Sequence, residues 1–328
     1  IALQEVDSPD EDSGDIPPEP VCRRLCDQFA EITGTDSAFA LMMLQNNGWS
    51  LPAALDRCFG GDAPATLALP AAASSNEDPR QLCVMSWNLD GLTDQQVEAR
   101  TRAAIAVLRD AEPHAVHLQE VAPDTLDLLR RLLRDRYEFV DGRAHPDDRY
   151  FTATLLRRGR LQLLSPSLHR FEGSRMDRTL LAVRVKSANG PEVLLLNTHL
   201  ESTKDFAAER KRQLSTALRT LTESAKPALL AGDLNLRDAE LQAIGGLPAG
   251  VLDAWSHCGA RPEAQYTWDA TRNRNIQNMG RARCRFDRML AWRMQPLDFQ
   301  LVGLQPAAGT QLFPSDHWGL VGLFQLQD

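Results

Sequence analysis

The stretch EVLLLNTHLES (residues 192–202) runs from an unbroken apolar segment directly into a cluster of polar side chains. An apolar run of this kind is typical of a buried strand, and the polar cluster falls where such a strand leaves the core. The same combination recurs along the chain, with polar clusters reading SWNLDG (86–91), LQEV (118–121), NTHLES (197–202), GDLN (232–235) and SDHWG (315–319). If these strands end at one rim of the fold, their polar groups meet in a single site.

Strand-like runs recur throughout the chain after residue 80, and amphipathic helical segments lie between several of them, at 95–111, 123–134 and 204–224. The short turn at 187–190 joins two runs as a hairpin, so the sheet is expected to be mixed and not purely parallel. This pattern predicts an α/β fold. At 328 residues, the chain is long enough for one large core and a small accessory unit.

The amino-terminal part predicts a different organisation. Residues 1–20 combine seven acids with several prolines and no base, which predicts an acidic disordered tail. Residues 21–60 show apolar positions at helical spacing and predict a domain of three short helices. Residues 61–79 are rich in Ala, Pro, Ser and Gly and predict a flexible linker, so the catalytic domain would occupy residues 80–328.

The formal net charge of −8 is unevenly distributed. From residue 80 onward there are 33 Lys and Arg against 30 Asp and Glu, a balance of +3, so the acidity belongs to the amino-terminal part. Between residues 272 and 288, six arginines face a single acid, Asp287, which favours contact with phosphates. A solvated arginine-rich loop is the alternative interpretation.

No apolar stretch reaches the roughly 18–20 residues of a membrane span. The six cysteines lack CxxC spacing, which favours a reduced intracellular protein.

The GDLN block gives the most specific prediction of how two side chains are arranged. Asp233 and Asn235 lie two residues apart, so in extended structure both project from the same face and can address one ligand. We expect Asp233 to orient and deprotonate an attacking water, and Asn235 to donate to a phosphate. Simple loop capping is the alternative for this pair.

The other blocks supply carboxylates, amides and histidines. Glu120 and Asp316 offer oxygens to a hard cation such as Mg²⁺. Asn88 could hold a metal-bound water or a phosphate oxygen, and His199 and Ser202 could clamp phosphate oxygens with a ring able to carry a charge and a hydroxyl. Ordinary alternatives are a surface glutamate, a turn-forming asparagine and a histidine satisfied by a backbone carbonyl.

His317 needs a carboxylate that orients its ring. Neighbours in a strand point to opposite faces, so the adjacent Asp316 is poorly placed for this role and is free to approach a metal. Asp287 in RFDR is the better candidate, and a pair of His317 with Asp287 would keep the imidazole protonated and aimed at the site. Together the blocks predict metal-assisted phosphodiester hydrolysis.

In this order, the blocks SWNLDGL, LQEV, NTHLES, GDLNLRD and FPSDHWG resemble those of the endonuclease/exonuclease/phosphatase family. The strings NTHLEST, YTWD and RFDR resemble its branch that cleaves 5′-tyrosyl DNA, and the resemblance covers about residues 21–328. It implies a four-layer α/β/β/α sandwich of two mixed sheets and dependence on Mg²⁺, with Mn²⁺ as a substitute. It also implies hydrolysis, by in-line attack of water, of the 5′-phosphotyrosyl bond between DNA and a trapped topoisomerase.

The resemblance further implies roles for individual residues. Glu120 and Asp316 would serve the metal and Asp233 the water, while the phosphate would contact Asn88, His199, Ser202, Asn235 and His317. The residues implied for substrate and DNA binding are Tyr150, Arg178, Lys204, Arg237, Trp268, Ile276 and Phe286. Aromatic and apolar faces stack on any base, which suits a single-stranded DNA end of any sequence. Plain core packing is the alternative for Ile276 and Phe286.

The helical segment 21–60 resembles a ubiquitin-associated domain, which implies ubiquitin or signalling proteins as partners. Its first loop reads Thr33-Gly34-Thr35 where an apolar pair is usual, and this departure argues against strong ubiquitin binding. The resemblance of the whole chain to the endonuclease/exonuclease/phosphatase family implies DNA repair in the nucleus, with the cytoplasm as a further location. Two other hypotheses stay open: another phosphodiesterase of the same fold, such as an abasic endonuclease, an RNA deadenylase or a sphingomyelinase, and an adaptor that acts through the helical segment.

Overall fold

The computed structural model describes residues 17–33, 37–51, 54, 78, 80–188 and 190–327. The chain divides into two compact units, Ile1–Leu69 and Pro70–Asp328. Nearly all of the predicted acidic tail, most of the predicted linker and most of the third predicted helix lie outside the described residues. The boundaries of these segments therefore stay predictions.

Two helices form most of the described part of the smaller unit: α1 (Glu19–Thr33) and α2 (Ser37–Gln45). Their apolar faces enclose a small core made of Cys26, Phe29, Ala40, Leu44 and Ala54. Phe29, which the helical spacing marks as apolar-facing, is fully buried there. Because residues of both helices and of the segment after them share this core, they fold as one unit.

Two six-stranded sheets form the larger unit. The strands of the first sheet are β1 (Gln81–Asn88), β2 (Ala115–Val121), β3 (Tyr137–Asp141), β4 (Phe151–Arg157), β13 (Met294–Val302) and β14 (Gly319–Leu326). They lie in the order β13-β14-β1-β2-β4-β3. Strands β1 and β2 are parallel, whereas the other neighbours are antiparallel, so the sheet is mixed as the sequence predicts.

The second sheet is also mixed. Its strands are β5 (Leu161–Arg170), β6 (Thr179–Ser187), β7 (Glu192–His199), β8 (Ala228–Asp233), β9 (Val251–Asp253) and β12 (Asp287–Trp292), in the order β5-β6-β7-β8-β12-β9. The predicted hairpin joins β6 to β7, and β7 and β8 are parallel. A separate two-stranded ribbon pairs β10 (Trp268–Asp269) with β11 (Arg283–Cys284).

Helices cover the outer faces of this pair of sheets. They are α3 (Val97–Ala111), α4 (Pro123–Leu133), α5 (Ala207–Thr222) and the short α6 (Asp238–Ala243). The short helix α7 (Ala254–His257) instead contacts β12 of one sheet and β13 of the other, and its Ala254 belongs to the core between the sheets. Neighbouring Leu195 and Leu196 of β7 point to opposite faces: the first joins the core between the sheets, and the second packs with Leu214 and Leu218 of α5. Strand β1 is buried on both faces, with α3 as the crossover to its parallel partner β2. The layers are thus helix, sheet, sheet and helix.

None of the helices in the described part of the chain has the length and apolar character of a membrane span.

The strand pairing brings polar residues to one edge of the sandwich. Asn88 ends β1 and pairs with Gln119 of the parallel strand β2. In the second sheet His199, at the end of β7, lies opposite Asp233, at the end of β8, and Asp287 begins β12 on the other side of Asp233. Carboxyl ends of parallel strands meet at the same edge of a sheet, so the blocks converge there.

Two buried histidines make folding stability depend on pH. Burial lowers the pKa of both His114 and His117 to about 4, whereas the unfolded chain titrates near 6.5. Between these values the unfolded state binds more protons, so stability is complete above pH 6.5 and falls as pH falls toward 4. For His117 the gap corresponds to about 3 kcal/mol. We expect His117→Leu to lose less stability than the wild type between pH 7 and pH 5, measured by urea denaturation. Identical pH profiles would contradict this origin.

Candidate active site

Asn88 links the two sheets at the edge where the strands end. Its amide nitrogen Nδ2 lies 3.1 Å from Oε1 of Glu120 in the first sheet and 3.0 Å from Oδ2 of Asp233 in the second. Asn88 is almost fully buried, and its Oδ1 accepts from the backbone N–H of Asp90 at 2.9 Å. One side chain therefore fixes the distance between the two carboxylates that the sequence assigns to the metal and to the water.

His199 approaches the same carboxylate from β7. Its Nε2 lies 3.3 Å from Oδ2 of Asp233, and its Nδ1 lies 2.8 Å from Nη1 of Arg178. A guanidinium only donates, so Nδ1 is the acceptor and Nε2 carries the proton. Burial, followed by the nearby charge of Arg178, holds the pKa of His199 well below its ordinary value. The sequence suggested a ring able to carry a charge; the structure gives a neutral donor because the side chain is buried beside an arginine.

His317 is held in the opposite protonation state. Its Nδ1 lies 2.8 Å from Oδ2 of Asp287, and its Nε2 lies 3.7 Å from Oδ2 of Asp233. Burial alone would lower the pKa of His317, but Asp287, Asp316 and Asp233 together raise it well above its ordinary value. The hydroxyl of Thr267 donates to the same oxygen of Asp287 at 2.5 Å. The structure thus brings together the pair predicted from the sequence and keeps this imidazole protonated.

Asp233 lies at the centre of the site. Burial raises its pKa to about 6, while His317, the backbone N–H of Asn235 and the Asn88 amide each act to lower it. Oδ1 accepts from the N–H of Asn235 at 2.9 Å. The extended geometry expected for residues 233–235 ends at Asp233, because Asn235 has a positive φ of 49° and its amide donates to the carbonyl of Leu200 at 3.2 Å.

Glu120 and Asp316 lie beside this centre. Burial raises the pKa of Glu120 to about 7; the hydrogen bond from Asn88 acts against this rise, and the charge of Asp316 adds to it. One oxygen of Asp316 accepts from the indole N–H of Trp268 at 3.1 Å. The crowding of acids around Glu120 fits a cation bound between them, and carboxylate oxygens are the ligands that hard cations prefer.

A second group of candidate metal ligands is Asp233, Asp287 and His317, whose ligand atoms lie within 4.8 Å of one another. A metal needs the free lone pair of a neutral imidazole. Here Nδ1 of His317 is engaged by Asp287, and the surrounding carboxylates favour the protonated ring. The hydrogen bond between His317 and Asp287 explains the short distances within this group. Glu120 with Asp316 is therefore the better candidate for a metal site.

An aromatic surface adjoins the protonated histidine. The rings of Trp268 and Phe286 have centroids 5.9 Å apart, and the centroid of Phe286 lies 6.4 Å from that of His317. The guanidinium of Arg237 lies 5.6 Å from the Phe286 ring. On the other side of the site, the guanidinium of Arg178 lies 5.4 Å from the ring of Tyr150. Predicted substrate-binding residues therefore adjoin each of the two histidines, Phe286 next to His317 and Arg178 next to His199.

Three further predicted residues lie in irregular segments of the chain. The hydroxyl of Ser202 donates to Sδ of Met176 at 3.1 Å. Lys204 is exposed in the segment before α5, and Ile276 is half-buried in the segment between β10 and β11. Their roles toward phosphate and DNA stay predictions.

The sequence interpretation missed a buried amide pair beneath the site. Nε2 of Gln119 donates to Oδ1 of Asn197 at 2.8 Å, and Nδ2 of Asn197 donates to the carbonyl of Ala153 at 2.9 Å. Gln119 and Asn197 are fully buried, and they join the two sheets one residue before Glu120 and two before His199. Their position inside the LQEV and NTHLES blocks was the available signal.

Gly91 sets the position of Glu120. A Cβ on Gly91 would lie 2.0 Å from the carbonyl oxygen of Glu120, and Glu120 itself has a positive φ of 51° that its surroundings must hold. We expect Gly91→Ala to displace Glu120 and to lower turnover about tenfold to 10²-fold, because a shift of about 1 Å in an active site can cost this much.

Gly159→Ala is the control for this prediction. Gly159 has a positive φ of 79°, and a Cβ there would have no atom within 4 Å. The strain should cost about 1 kcal/mol of stability and leave turnover unchanged. Steady-state kinetics and thermal unfolding of the two variants make the comparison, and wild-type turnover in Gly91→Ala would show that Glu120 does not depend on this contact.

Two packed mixed sheets whose strand ends gather carboxylates, amides and histidines around one oxygen define a phosphoesterase. Residues 85–317 match the model of the Endonuclease/Exonuclease/phosphatase family, and residues 23–64 match that of a UBA-like domain. The chain belongs to the endonuclease/exonuclease/phosphatase family and, within it, to the family of tyrosyl-DNA phosphodiesterase 2 (TDP2). The predicted sandwich and the ubiquitin-associated-like segment are thereby confirmed.

The relatives span nearly the whole chain. TDP2 of Homo sapiens is 33% identical over 336 residues, which cover 91% of this chain and 91% of that protein. The 5′-tyrosyl-DNA phosphodiesterase of Caenorhabditis briggsae is 34% identical over 321 residues, covering 90% and 88%. The crystal structure of D. rerio TDP2 complexed with single-strand DNA product superposes with a TM-score of 0.71 at 35% identity, covering 74% of this chain and 98% of that chain. That of C. elegans TDP2 gives a TM-score of 0.69 at 30% identity, covering 99% and 98%.

Proposed function

We propose that the chain is a Mg²⁺-dependent DNA phosphodiesterase that hydrolyses the 5′-phosphotyrosyl bond left by a trapped topoisomerase. The observation that carries this proposal is the convergence of Asn88, His199 and His317 on one carboxylate oxygen of Asp233, at 3.0–3.7 Å. Such a set can accept a proton from water and supply donors to a charged phosphate. The relatives support the choice of substrate, because they carry the name of 5′-tyrosyl-DNA phosphodiesterase and one of them holds a single-strand DNA product.

Glu120 and Asp316 would hold the Mg²⁺. The raised pKa of Glu120, which comes from burial and from its acidic neighbour, is what a site for a divalent cation shows when its negative charge is not balanced. When bound, the ion neutralises charge on the phosphate and on the departing oxygen. Mn²⁺ offers the same preference for oxygen ligands and should substitute.

The side chains of the second sheet carry out the proton chemistry and stabilise charge. Asp233, with a pKa of about 6, is mostly ionised at neutral pH and accepts a proton from the attacking water. His317 donates from Nε2 as a protonated ring held by Asp287, and His199 donates from the Nε2–H that its contact with Arg178 imposes. Both donors address oxygens of the phosphate as charge develops. The tyrosyl oxygen leaves as a phenolate and needs little protonation. Because water itself attacks phosphorus in line, no covalent intermediate forms and the product is a DNA 5′-phosphate.

DNA would approach along the aromatic side of the site. Trp268 and Phe286 offer faces on which terminal bases stack, and Arg237 beside Phe286 adds a positive charge for the backbone. Tyr150 and Arg178 would face the tyrosyl group on the other side. We also propose Ser202 and Asn235 as phosphate contacts, and Lys204 and Ile276 as DNA contacts.

A four-substrate comparison tests this function. Oligonucleotides with a 5′-tyrosyl, a 3′-tyrosyl or an abasic group, and an RNA of equal length, are compared at equal concentration with Mg²⁺. We expect the highest kcat/KM on the 5′-tyrosyl substrate, with a 5′-phosphate as the product. Faster turnover on the abasic or the RNA substrate would favour the corresponding alternative phosphodiesterase and would reject this proposal.

The smaller unit favours a second, binding function. Residues 23–64 match a UBA-like domain, and the adjacent apolar side chains of Leu41 and Met42 on α2 are 40% and 46% exposed. We propose that this unit binds ubiquitin or a signalling protein and that the enzyme acts in the nucleus. Titration of the whole chain with mono-ubiquitin and polyubiquitin tests the ubiquitin part, and the absence of binding to both would reject it.

A further inference from the structure

Glu201 is a fully buried carboxylate outside the set of side chains described above. It follows His199 by two residues, in the same NTHLES block, and its carboxylate contacts the segment between β5 and β6. Oε1 accepts three hydrogen bonds: from the hydroxyl of Ser174 at 2.7 Å, from the N–H of Arg175 at 2.6 Å and from the N–H of Met176 at 3.2 Å. A buried carboxylate that receives this many donors determines the conformation of the segment that supplies them.

The backbone of Glu201 is itself firmly held. Its N–H donates to Oε1 of Gln213 at 2.9 Å, and its carbonyl accepts from Nη1 of Arg210 at 2.8 Å. Gln213 and Arg210 are buried residues of α5. The carboxylate therefore has a fixed position relative to the second sheet, from which it can hold a less regular segment.

Residues 174–178, which Glu201 holds, form an irregular turn between β5 and β6. The N–H of Arg178 donates back to the hydroxyl of Ser174 at 2.8 Å, which closes the turn. Asp177 has a positive φ of 53°, a conformation that non-glycine residues adopt at a cost. This turn therefore needs stabilising contacts, and the carboxylate of Glu201 provides three of them.

Two side chains of the turn contact residues of the proposed phosphate site. Nη1 of Arg178 donates to Nδ1 of His199 and so fixes which ring nitrogen carries the proton. Sδ of Met176 accepts from the hydroxyl of Ser202 and, at 3.5 Å, from Nη2 of Arg178. Both residues lie within four positions of Ser174, so a shift of the turn moves the partners of His199 and Ser202 together.

We propose that Glu201 is a positioning residue for catalysis, which orients His199 and Ser202 through the turn 174–178. The hydrogen bonds of its carboxylate go to Ser174, Arg175 and Met176, which are not among the residues proposed to contact substrate or metal. Its effect on the reaction passes through Arg178 and Met176, so we expect Glu201 to affect turnover more than DNA binding. The part of this inference that concerns turnover rests on the proposed phosphodiesterase function.

Glu201→Gln is the first test. The amide keeps the size of the side chain and one accepting oxygen but loses the charge that strengthens these hydrogen bonds. We expect kcat on the 5′-phosphotyrosyl oligonucleotide to fall about tenfold while KM changes less than about threefold, and amide exchange at residues 175 and 176 to become faster. The matched control is Glu112→Gln, whose carboxylate binds Arg136 and Arg157 instead, and it should leave both measurements unchanged. Wild-type kcat in Glu201→Gln would overturn the proposal.

A double-mutant cycle separates positioning from a general loss of structure. In an Arg178→Lys background, Glu201→Gln should lower kcat further by less than the tenfold loss expected in the wild type, because the part of its effect that passes through Arg178 is already lost. Additive losses would overturn the proposal. If the wild type cleaves no phosphotyrosyl substrate, the proposed function fails separately, and the exchange rates together with the ¹⁵N signals of the His199 ring still test the contact. Unchanged exchange rates and signals in Glu201→Gln would then reject it.

Discussion

In an Asp233→Asn variant, turnover on a 5′-phosphotyrosyl oligonucleotide should fall by about 10²–10⁴-fold, whereas DNA binding should stay close to the wild type. The amide keeps the size of the carboxylate and can still contact Asn88 and the N–H of Asn235, but it cannot accept a proton from water. In the proposed binding mode DNA would stack on Trp268 and Phe286, which have no hydrogen bond to Asp233, so we expect the affinity to change little. Single-turnover kinetics measure the first quantity, and a binding titration with chelated metal measures the second.

The control for this variant is Asp298→Asn. Asp298 is a half-buried carboxylate paired with Arg261 at 2.8 Å and carried by β13 in the other sheet. It should keep wild-type turnover and thereby account for any general effect of removing a charge. Near-normal turnover in Asp233→Asn would remove this residue from the role of base and would leave His199 or His317 to be tested in its place.

Much of the site could be predicted because it depends on strand periodicity. Neighbours in a strand point to opposite faces, and this rule argued against Asp316 as the partner of His317; the predicted partner, Asp287, lies 2.8 Å from the ring. The fold could be predicted for a similar reason. Apolar runs separated by helical patterns imply layers of sheet and helix, and the turn at 187–190 implied the antiparallel pair β6 and β7.

The remaining features depend on contacts between distant parts of the chain. The charge state of His199 follows from complete burial beside Arg178, which periodicity does not describe. The amide pair Gln119 and Asn197 exists because two sheets pack face to face, and their residues are 78 positions apart in the chain. Asn235 turns out of the extended geometry because of its positive φ. The substrate was assigned from the resemblance, since stacking surfaces such as Phe286 look like core residues in the sequence.

Removal of divalent metal should reduce cleavage to the rate without enzyme, and Mg²⁺ or Mn²⁺ should restore it. The reason lies in the charge balance around Glu120: burial raises the pKa of this carboxyl and the charge of Asp316 adds to the rise, so a cation that neutralises the charge stabilises the site. A measurement that does not depend on activity is thermal unfolding, because a ligand that binds only the folded state adds about 2.7 kcal/mol at one hundred times its Kd.

Variants of the two candidate metal sites decide which residues hold the ion. If Glu120 and Asp316 are the ligands, Glu120→Gln should abolish the Mg²⁺-dependent rise in unfolding temperature. Asp287→Asn should keep that rise, although it loses turnover through His317. If the ion instead occupies the group formed by Asp233, Asp287 and His317, the two variants should behave in the opposite way. A rise that survives in Glu120→Gln would therefore reject Glu120 and Asp316 as the ligands. The ion would then occupy the other group, and the protonated ring of His317 would have to release its proton to bind it.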